Sequence, residues 1–279
     1  MLRIDSHQHF WKYDPVTYSW IDDSMQAIQK DFMPEDLWPV LENNGFDGCI
    51  TVQSDQSEQE NEFQLANAAK YSFIKAVVGW VDLQSAQVED RLAYYLQFNK
   101  LKGFRHVLQG EPQRDFMLRP AFLNGISLLK KYGYAYDILI FSDQLGYTAD
   151  FVSCFPDQLF VIDHLAKPGI KNREITQWKK DITAVAKFEN VFCKVSGMVT
   201  EADWKKWNPT DFYPYLDVLI ETFGTDRLMF GSDWPVCNVA AAYEQVVNIA
   251  TTYFSAFSKT EKEKFFGGNA CKFYNIQIH

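Results

Sequence analysis

The chain has 279 residues, of which 47% are hydrophobic and 23% charged, and its formal net charge is −9. This balance is that of a folded globular protein and excludes a disordered one, while an acidic charge without clustered Lys and Arg excludes a nucleic-acid-binding surface. The five cysteines show no CxxC spacing, so reduced thiols are expected. Neither a membrane span nor a signal peptide stands out, and we expect a cytoplasmic protein.

Strand-like and helix-like segments alternate along the chain. Some strand-like segments are almost entirely apolar, as at 159–162, which is typical of parallel strands buried on both faces. Eight strands, each followed by a crossover, close a (β/α)8 barrel, whereas a doubly wound open sheet usually needs fewer. We therefore predict an α/β fold, a single-domain TIM barrel over residues 1–279. The predicted strands are 2–9, 48–54, 74–83, 101–108, 134–140, 159–166, 191–197 and 227–233, and the predicted helices include 34–44, 58–71, 88–98, 120–132, 211–223 and 240–254.

The first predicted strand ends in His7-Gln8-His9. Residues two apart lie on the same face of a strand, so both imidazoles can reach one point. The segment 10–32, which is rich in Trp, Tyr and Asp, follows the pair and is predicted to cover that point. The pair therefore indicates an active site, with two hydrogen-bonded core imidazoles as the alternative.

Further polar side chains stand at the ends of later strands, where parallel barrels carry their reactive groups. Burying an unpaired charge is costly, so these groups should face one another or a ligand, a structural ion-pair network being the alternative. At strand four, alternation lets only one of Arg105 and His106 point inward, and we favour Arg105. At strand eight, Gly231 permits close backbone approach and Pro235 ends the strand beyond Asp233. The set comprises Arg105, His106, Asp163, His164, Lys194, Ser196 and Asp233.

These residues and the segments around them resemble the amidohydrolase superfamily. Within it, the chain is similar to the sugar-lactonase branch, which contains L-fuconolactonase and L-rhamnonolactonase and is related to 2-pyrone-4,6-dicarboxylate lactonase. The resemblance implies a barrel that hydrolyses a small sugar-acid lactone, with no nucleic-acid or membrane partner, and it leaves open whether the protein is a homo-oligomer. The segments that carry it are HQH (7–9), VGWVDL (78–83), GFRH (103–106), DHLAKP (163–168), CKVSG (193–197), GSDWP (231–235) and GNA (268–270).

The resemblance also bears on metal content. Members with two metals use a Lys or Glu on strand four and a His on strand five, whereas this chain offers Arg105 and a segment 134–138 without histidine. A cationic Arg105 would also repel a divalent ion, which argues against a binuclear centre. The lactonase branch that the chain resembles is thought to manage without a metal, so the resemblance implies that none is required. If a single zinc is bound, its expected ligands are His7, His9 and Asp233, with His164 as a further candidate.

Lactone hydrolysis needs a base for water and donors for the carbonyl oxygen. We assign the base to Asp233 and the orientation and polarisation of the carbonyl to His7, His9, His164 and Arg105. Cations and imidazoles beside Asp233 should hold its pKa low, which makes it a modest base that suits a reactive ester better than an amide. The substrate contacts are assigned to Lys194 and His106 and to a stacking wall of tryptophans, although large aromatics more often pack in the core. These tryptophans are Trp20, Trp80 and Trp234.

Two other functions stay open at this point. A mononuclear zinc decarboxylase or hydratase of the same superfamily also uses an HxH pair and a strand-eight Asp, but it normally has a histidine on strand five. A non-catalytic sugar-binding barrel would use the same polar cluster without turnover. Every proposed catalytic residue type is present, which favours an enzyme over a non-catalytic barrel.

Overall fold

The computed structural model, which describes residues 2–277, contains eight parallel strands in one sheet in which each strand pairs with the next. The sheet closes between its last and first strands: the backbone N–H of Asp233 donates to the carbonyl of His7 at 2.8 Å, and that of His9 to the carbonyl of Trp234 at 2.7 Å. The predicted TIM barrel is confirmed. The strands are β1 (Ile4–Gln8), β2 (Gly48–Val52), β3 (Ile74–Gly79), β4 (Leu101–His106), β5 (Ala135–Ile138), β6 (Phe160–Ile162), β7 (Val191–Val195) and β8 (Leu228–Phe230).

Helices follow the strands on the outside of the barrel. The side chain of Ser57 caps α2 (Glu58–Lys70) by accepting from the N–H of Glu60, and Gly133 ends α4 (Pro120–Tyr132) in the left-handed conformation, at φ 74°. The prediction names six helices, and it does not include Leu145–Ser153, Thr176–Val185, Lys259–Glu263 or Asn269–Phe273. No helix within residues 2–277 is long and apolar enough to span a bilayer. The helices are α1 (Pro34–Asn43), α2 (Glu58–Lys70), α3 (Val88–Tyr95), α4 (Pro120–Tyr132), α5 (Leu145–Ser153), α6 (Thr176–Val185), α7 (Tyr213–Phe223), α8 (Tyr243–Tyr253), α9 (Lys259–Glu263) and α10 (Asn269–Phe273).

The strands that carry the candidate residues are shorter than predicted. β6 ends at Ile162 rather than at 166, and β8 ends at Phe230 rather than at 233. Beyond β6, the four residues of His164–Lys167 all have left-handed backbone angles, with φ between 48° and 57°, and Asp233 has φ 60°. Such angles cost about 1–2 kcal/mol per residue outside glycine and end a strand at once. Asp163, His164 and Asp233 therefore sit on turns just beyond the strands.

The interior of the barrel is closed at the end where the strands begin. Small and branched side chains of the strands fill it, among them Ile50, Val78 and Val161, and the C-terminal helix α10 packs beneath them. Tyr274, next to α10, is almost fully buried there. The barrel is thus filled at the end where the strands begin, and a pocket can form only at the end where the strands finish.

Candidate active site

A pocket of about 310 Å³ opens at the end of the barrel where the strands finish. This volume lies in the range of small-molecule sites. A larger cavity of about 500 Å³ lies beside it, behind Trp204, but no imidazole or carboxylate lines that cavity. The chemistry therefore concentrates in the smaller pocket, which is lined by His9, Trp20, Met25, Ser54, Arg105, Val107, Gln109, Leu139, His164, Lys167, Thr200, Glu201, Trp204, Asp233 and Val236.

Three imidazoles surround the carboxylate of Asp233. Its Oδ1 lies 3.3 Å from Nε2 of His9 and 3.9 Å from Nε2 of both His7 and His164. The ligand atoms of His7, His164 and Asp233 all lie within 4.8 Å of one another, which in residues 2–277 is the one cluster with the spacing of a metal site. All four side chains are buried.

The hydrogen bond that His9 makes to the backbone determines what its other nitrogen can do. Nδ1 lies 2.7 Å from the carbonyl oxygen of Val52, and because a carbonyl only accepts, Nδ1 carries the proton. In the neutral ring, Nε2 then presents a lone pair to the carboxylate of Asp233 at 3.3 Å. Two acceptors that face each other need a cation beside them, either a proton on His9 or a metal ion. The donor set therefore fits a divalent cation.

His7 lies between the pocket and the barrel interior. Its Nε2 is 3.3 Å from Nη1 of Arg105, and its Nδ1 is 3.3 Å from Oδ1 of Asp163. Nζ of Lys194 also lies 3.2 Å from Nδ1, so each ring nitrogen of His7 has a cationic donor beside it, and Asp163 faces Nδ1 as an acceptor. Burial lowers the pKa of His7 well below its ordinary value, so the ring is neutral. A second-layer carboxylate of this kind fixes the orientation of a ligating imidazole.

Two glycines allow the imidazoles to approach the strand ends. A Cβ at Gly197, where φ is 63°, would lie 2.5 Å from Nδ1 of His164, and a Cβ at Gly231 would lie 2.6 Å from Cβ of His7. Nδ1 of His164 is also 3.0 Å from Oγ of Ser196. Glycine at these positions is therefore required by the packing of the site.

Beneath the pocket, five side chains form what we call the floor network: Arg105, Asp137, Asp163, Lys194 and Tyr274. Nζ of Lys194 lies 2.5 Å from Asp137 and 3.1 Å from Asp163, and Nη1 of Arg105 donates to Asp163 at 3.0 Å. The hydroxyl of Tyr274 donates to both carboxylate oxygens of Asp137 at 2.8 Å. Each buried charge thus has an opposite charge beside it, as burial demands.

The environment sets the charge of the two residues that face the pocket most directly. Burial would raise the pKa of the Asp233 carboxyl, but the neighbouring imidazoles of His164 and His9 outweigh it, and the pKa is below its ordinary value. Burial lowers the pKa of His164 well below its ordinary value. At neutral pH, Asp233 is therefore a carboxylate and His164 a neutral imidazole.

At the mouth of the pocket lie two opposite charges that we call the rim pair, Lys167 and Glu201. Nζ of Lys167 is 3.7 Å from Oε1 of Glu201, and both side chains are partly exposed. Lys167 ends the left-handed turn that also carries His164. Its ammonium lies 5.3 Å from the centre of the Phe141 ring.

The structure brings together His7, His9, His164, Asp233 and Arg105. Of the residues assigned to substrate contacts, Trp20 alone lines the pocket.

The remaining four substrate-contact assignments do not fit the positions of the side chains. Lys194 is fully buried in the floor network. His106 bonds Glu111 and stacks on Phe116 outside the barrel. Trp234 packs against Phe10 and Phe32, and Trp80 does not line the pocket.

Four titratable residues in or under the site are absent from the prediction: Asp137, Tyr274, Lys167 and Glu201. Asp137 carries a usable signal, because a carboxylate inside an otherwise apolar strand needs a cationic partner. Lys167 follows His164 closely, but only the turn shows that it faces the pocket. Glu201 lies in an irregular segment with no periodicity to place it.

Comparisons with known proteins find relatives that match almost the whole chain. A family model described as "Amidohydrolase" matches residues 4–276. The chain is 36% identical to a Burkholderia multivorans protein named L-fucono-1,5-lactonase, with 99% of this chain and 96% of that protein covered. It is 33% identical, with the same coverage, to a Burkholderia ambifaria protein of the same name. A crystal structure of an amidohydrolase from Burkholderia multivorans with bound zinc matches with a TM-score of 0.96 and 36% identity, covering 99% of this chain and 100% of that one.

The expectation that no metal is required is wrong. The similar crystal structure holds zinc, and His7, His164 and Asp233 have the spacing of a metal site here. The missing ligands on strands four and five argued against two ions, but they carry no weight against one. A divalent metal at this cluster replaces the earlier expectation.

Proposed function

This chain belongs to the amidohydrolase family, and from that premise we propose that it is a lactonase that opens the ring of a sugar-acid lactone by hydrolysis. The observation that carries the proposal is the Asp233 carboxylate held among three imidazoles at the inner end of a pocket of small-molecule size. The two similar lactonases make L-fucono-1,5-lactone the first substrate to test.

Asp233 acts as the base in this reaction. It accepts a proton from water as the water oxygen bonds to the lactone carbonyl carbon, and it returns the proton to the ring oxygen when the ring C–O bond breaks. The product is the open-chain hydroxy acid. A low pKa makes Asp233 a weak base, which suffices for an ester that is already reactive.

The surrounding side chains hold the reacting groups in place. The bond from His9 to Val52 fixes its ring, and the bonds from Arg105 to Asp163 and Gln53 fix a positive charge beside His7, where negative charge develops on the carbonyl oxygen. A divalent cation, zinc as in the similar structure, would be held by His7, His164 and Asp233 with His9 beside them, and would supply Lewis-acid polarisation of the carbonyl.

The residues of β5 argue against the decarboxylase alternative. That function calls for a metal-binding histidine there, whereas β5 offers Asp137, which is fully buried and bonded to Lys194 and Tyr274. Its carboxylate is already committed to the floor network. We therefore propose no decarboxylation.

The role of Asp233 is tested by Asp233→Asn. Because the amide cannot accept a proton from water, we expect kcat to fall by about 10²- to 10⁴-fold. Acid release from a panel of five- and six-membered sugar lactones and a carboxylated pyrone, followed with a pH indicator, measures it. Asp157→Asn, at an exposed carboxylate, is the matched control. A folded Asp233→Asn protein that hydrolyses the lactone at the wild-type rate would contradict the proposal.

The metal is tested by removing it. Because the cluster offers one group of ligands, we expect elemental analysis of the purified protein to find about one divalent ion per chain. Chelation should lower both the activity and the melting temperature, and added zinc should restore both, since an ion that binds only the folded state stabilises it. Full activity and unchanged melting in protein shown to be free of metal would contradict this assignment.

A further inference from the structure

The rim pair consists of the two charged side chains lining the pocket that the proposed reaction leaves unused. Lys167 comes from the turn after β6 and Glu201 from the segment after β7, so two separate loops deliver opposite charges to one wall. Both line the same pocket as Asp233. An ammonium and a carboxylate placed together at a pocket wall need a reason, because ordering two long side chains is unfavourable.

Most other polar groups of the pocket already have protein partners. Oγ of Ser54 donates to Glu60, and Oγ1 of Thr200 donates to the carbonyl of Gly197. These groups hold the loops in place and have little left to offer a ligand.

The rim pair, by contrast, has spare capacity. Within residues 2–277, the side chains of Lys167 and Glu201 make no hydrogen bond shorter than 3.5 Å, and their mutual distance of 3.7 Å is too long for one. An ammonium has three protons to donate, and a carboxylate accepts about four hydrogen bonds. Nearby, Gln109 lines the same pocket, and its Oε1 is buried and has no hydrogen-bond partner among the described residues.

We infer that Lys167 and Glu201 bind neighbouring hydroxyl groups of the sugar lactone and so select a hydroxylated ring over a plain one. The ammonium donates to one hydroxyl oxygen, and the carboxylate accepts from the next hydroxyl. This inference rests on the proposed function and deepens it, because it names the feature of the substrate that the site reads.

The chemistry of the pair favours hydroxyls over charged groups. A lone ammonium would select a carboxylate, and a lone carboxylate would select a cation. Opposite charges 3.7 Å apart cancel at a distance, and together they offer a donor and an acceptor side by side. A neutral group that both accepts and donates, such as a pair of hydroxyls, satisfies both at once.

The test compares two lactones on the metal-loaded enzyme: L-fucono-1,5-lactone, and δ-valerolactone, which has the same ring size and no hydroxyls. In Lys167→Met and Glu201→Gln, kcat/KM for the sugar lactone should fall about 10- to 100-fold, mainly through KM, because each variant removes a charged hydrogen-bond partner. The fall in kcat/KM for δ-valerolactone should be about tenfold smaller than that for the sugar lactone. Lys171→Met, an exposed lysine of the same loop, is the control.

A binding measurement separates failure of the inference from failure of the proposed function. Titration calorimetry with the lactam that has the hydroxyls of L-fucono-1,5-lactone reports recognition without turnover. If the wild type hydrolyses no lactone, the proposed function fails, and weaker lactam binding by both variants still supports the inference. Equal losses of kcat/KM on the two lactones would overturn the inference, and so would an unchanged affinity for the lactam. A change confined to inhibition by the open-chain acid would also overturn it.

Discussion

The floor network and the rim pair are two ion-pair systems a short distance apart, and they are organised in opposite ways. The charged groups of the floor network sit on strands or, for Asp163, directly after one. Its lysine and aspartates have no exposed surface, and its charges are bonded at 2.5–3.1 Å. The rim pair sits on loops, its side chains are 17% and 21% exposed, and its charges are 3.7 Å apart. The floor network therefore holds the reacting groups in fixed positions, while the rim pair can adapt to different substrates.

The largest expected difference in stability comes from making the same substitution in the floor network and in the rim pair. Lys194→Met leaves Asp137 and Asp163 buried with fewer opposite charges, so we expect the free energy of unfolding to fall by about 3–5 kcal/mol. Lys167→Met removes only a partly exposed charge and should cost about 0.5 kcal/mol or less. Urea unfolding of both proteins measures the difference.

The expected result is that Lys194→Met destabilises the protein more than Lys167→Met does. A Lys194→Met protein that fails to fold, beside a Lys167→Met protein that folds, gives the same ranking as the expected free energies. Equal losses in the two proteins would show that the floor network stabilises the fold no more than the rim pair does.

A smaller effect tests whether the floor network extends to the C-terminal helix. Tyr274→Phe removes one neutral donor to Asp137 and leaves the bond from Lys194 in place, so we expect a loss of about 1 kcal/mol. Tyr94→Phe, at a half-exposed tyrosine, is the matched control and should be near neutral. Urea unfolding of the two variants checks the difference, and a Tyr274→Phe protein as stable as the control would remove this residue from the network.

The repeating pattern of the sequence was sufficient to predict the barrel and the cluster around Asp233. Period-two alternation brings His7 and His9 to one face, and the rule that reactive groups lie at strand ends gathers His164 and Arg105 with them. Alternation lets only one of Arg105 and His106 point inward but does not say which, and in the structure Arg105 lines the pocket while His106 bonds Glu111 outside the barrel.

Depth within the barrel could not be predicted in the same way. Alternation states that Lys194 points inward, but it does not state how far below the pocket the side chain lies. Its partner Asp137 is 57 residues away in the sequence, and Tyr274 is 137 residues from Asp137. Only the tertiary structure shows that their charges and hydroxyl meet, which turns a predicted substrate contact into a buried ion pair.

The metal requirement was predicted wrongly for a different reason. The prediction named His7, His164 and Asp233 among the candidate ligands of a single ion, but it gave more weight to the ligands that strands four and five lack, and these bear only on a second ion. The turn after β6 contains no glycine, so nothing in its composition signals a left-handed backbone.

That turn also constrains how the enzyme can change over evolution. His164 and Lys167 are three residues apart on one left-handed segment, so an insertion or deletion there displaces a metal-site imidazole together with the lysine of the rim pair. Glu201 shares its loop with no residue of the metal cluster. New substrate preferences should therefore arise by exchanging the side chain at 167 or by lengthening and reshaping the loop after β7, and relatives with different substrates should differ most in that loop.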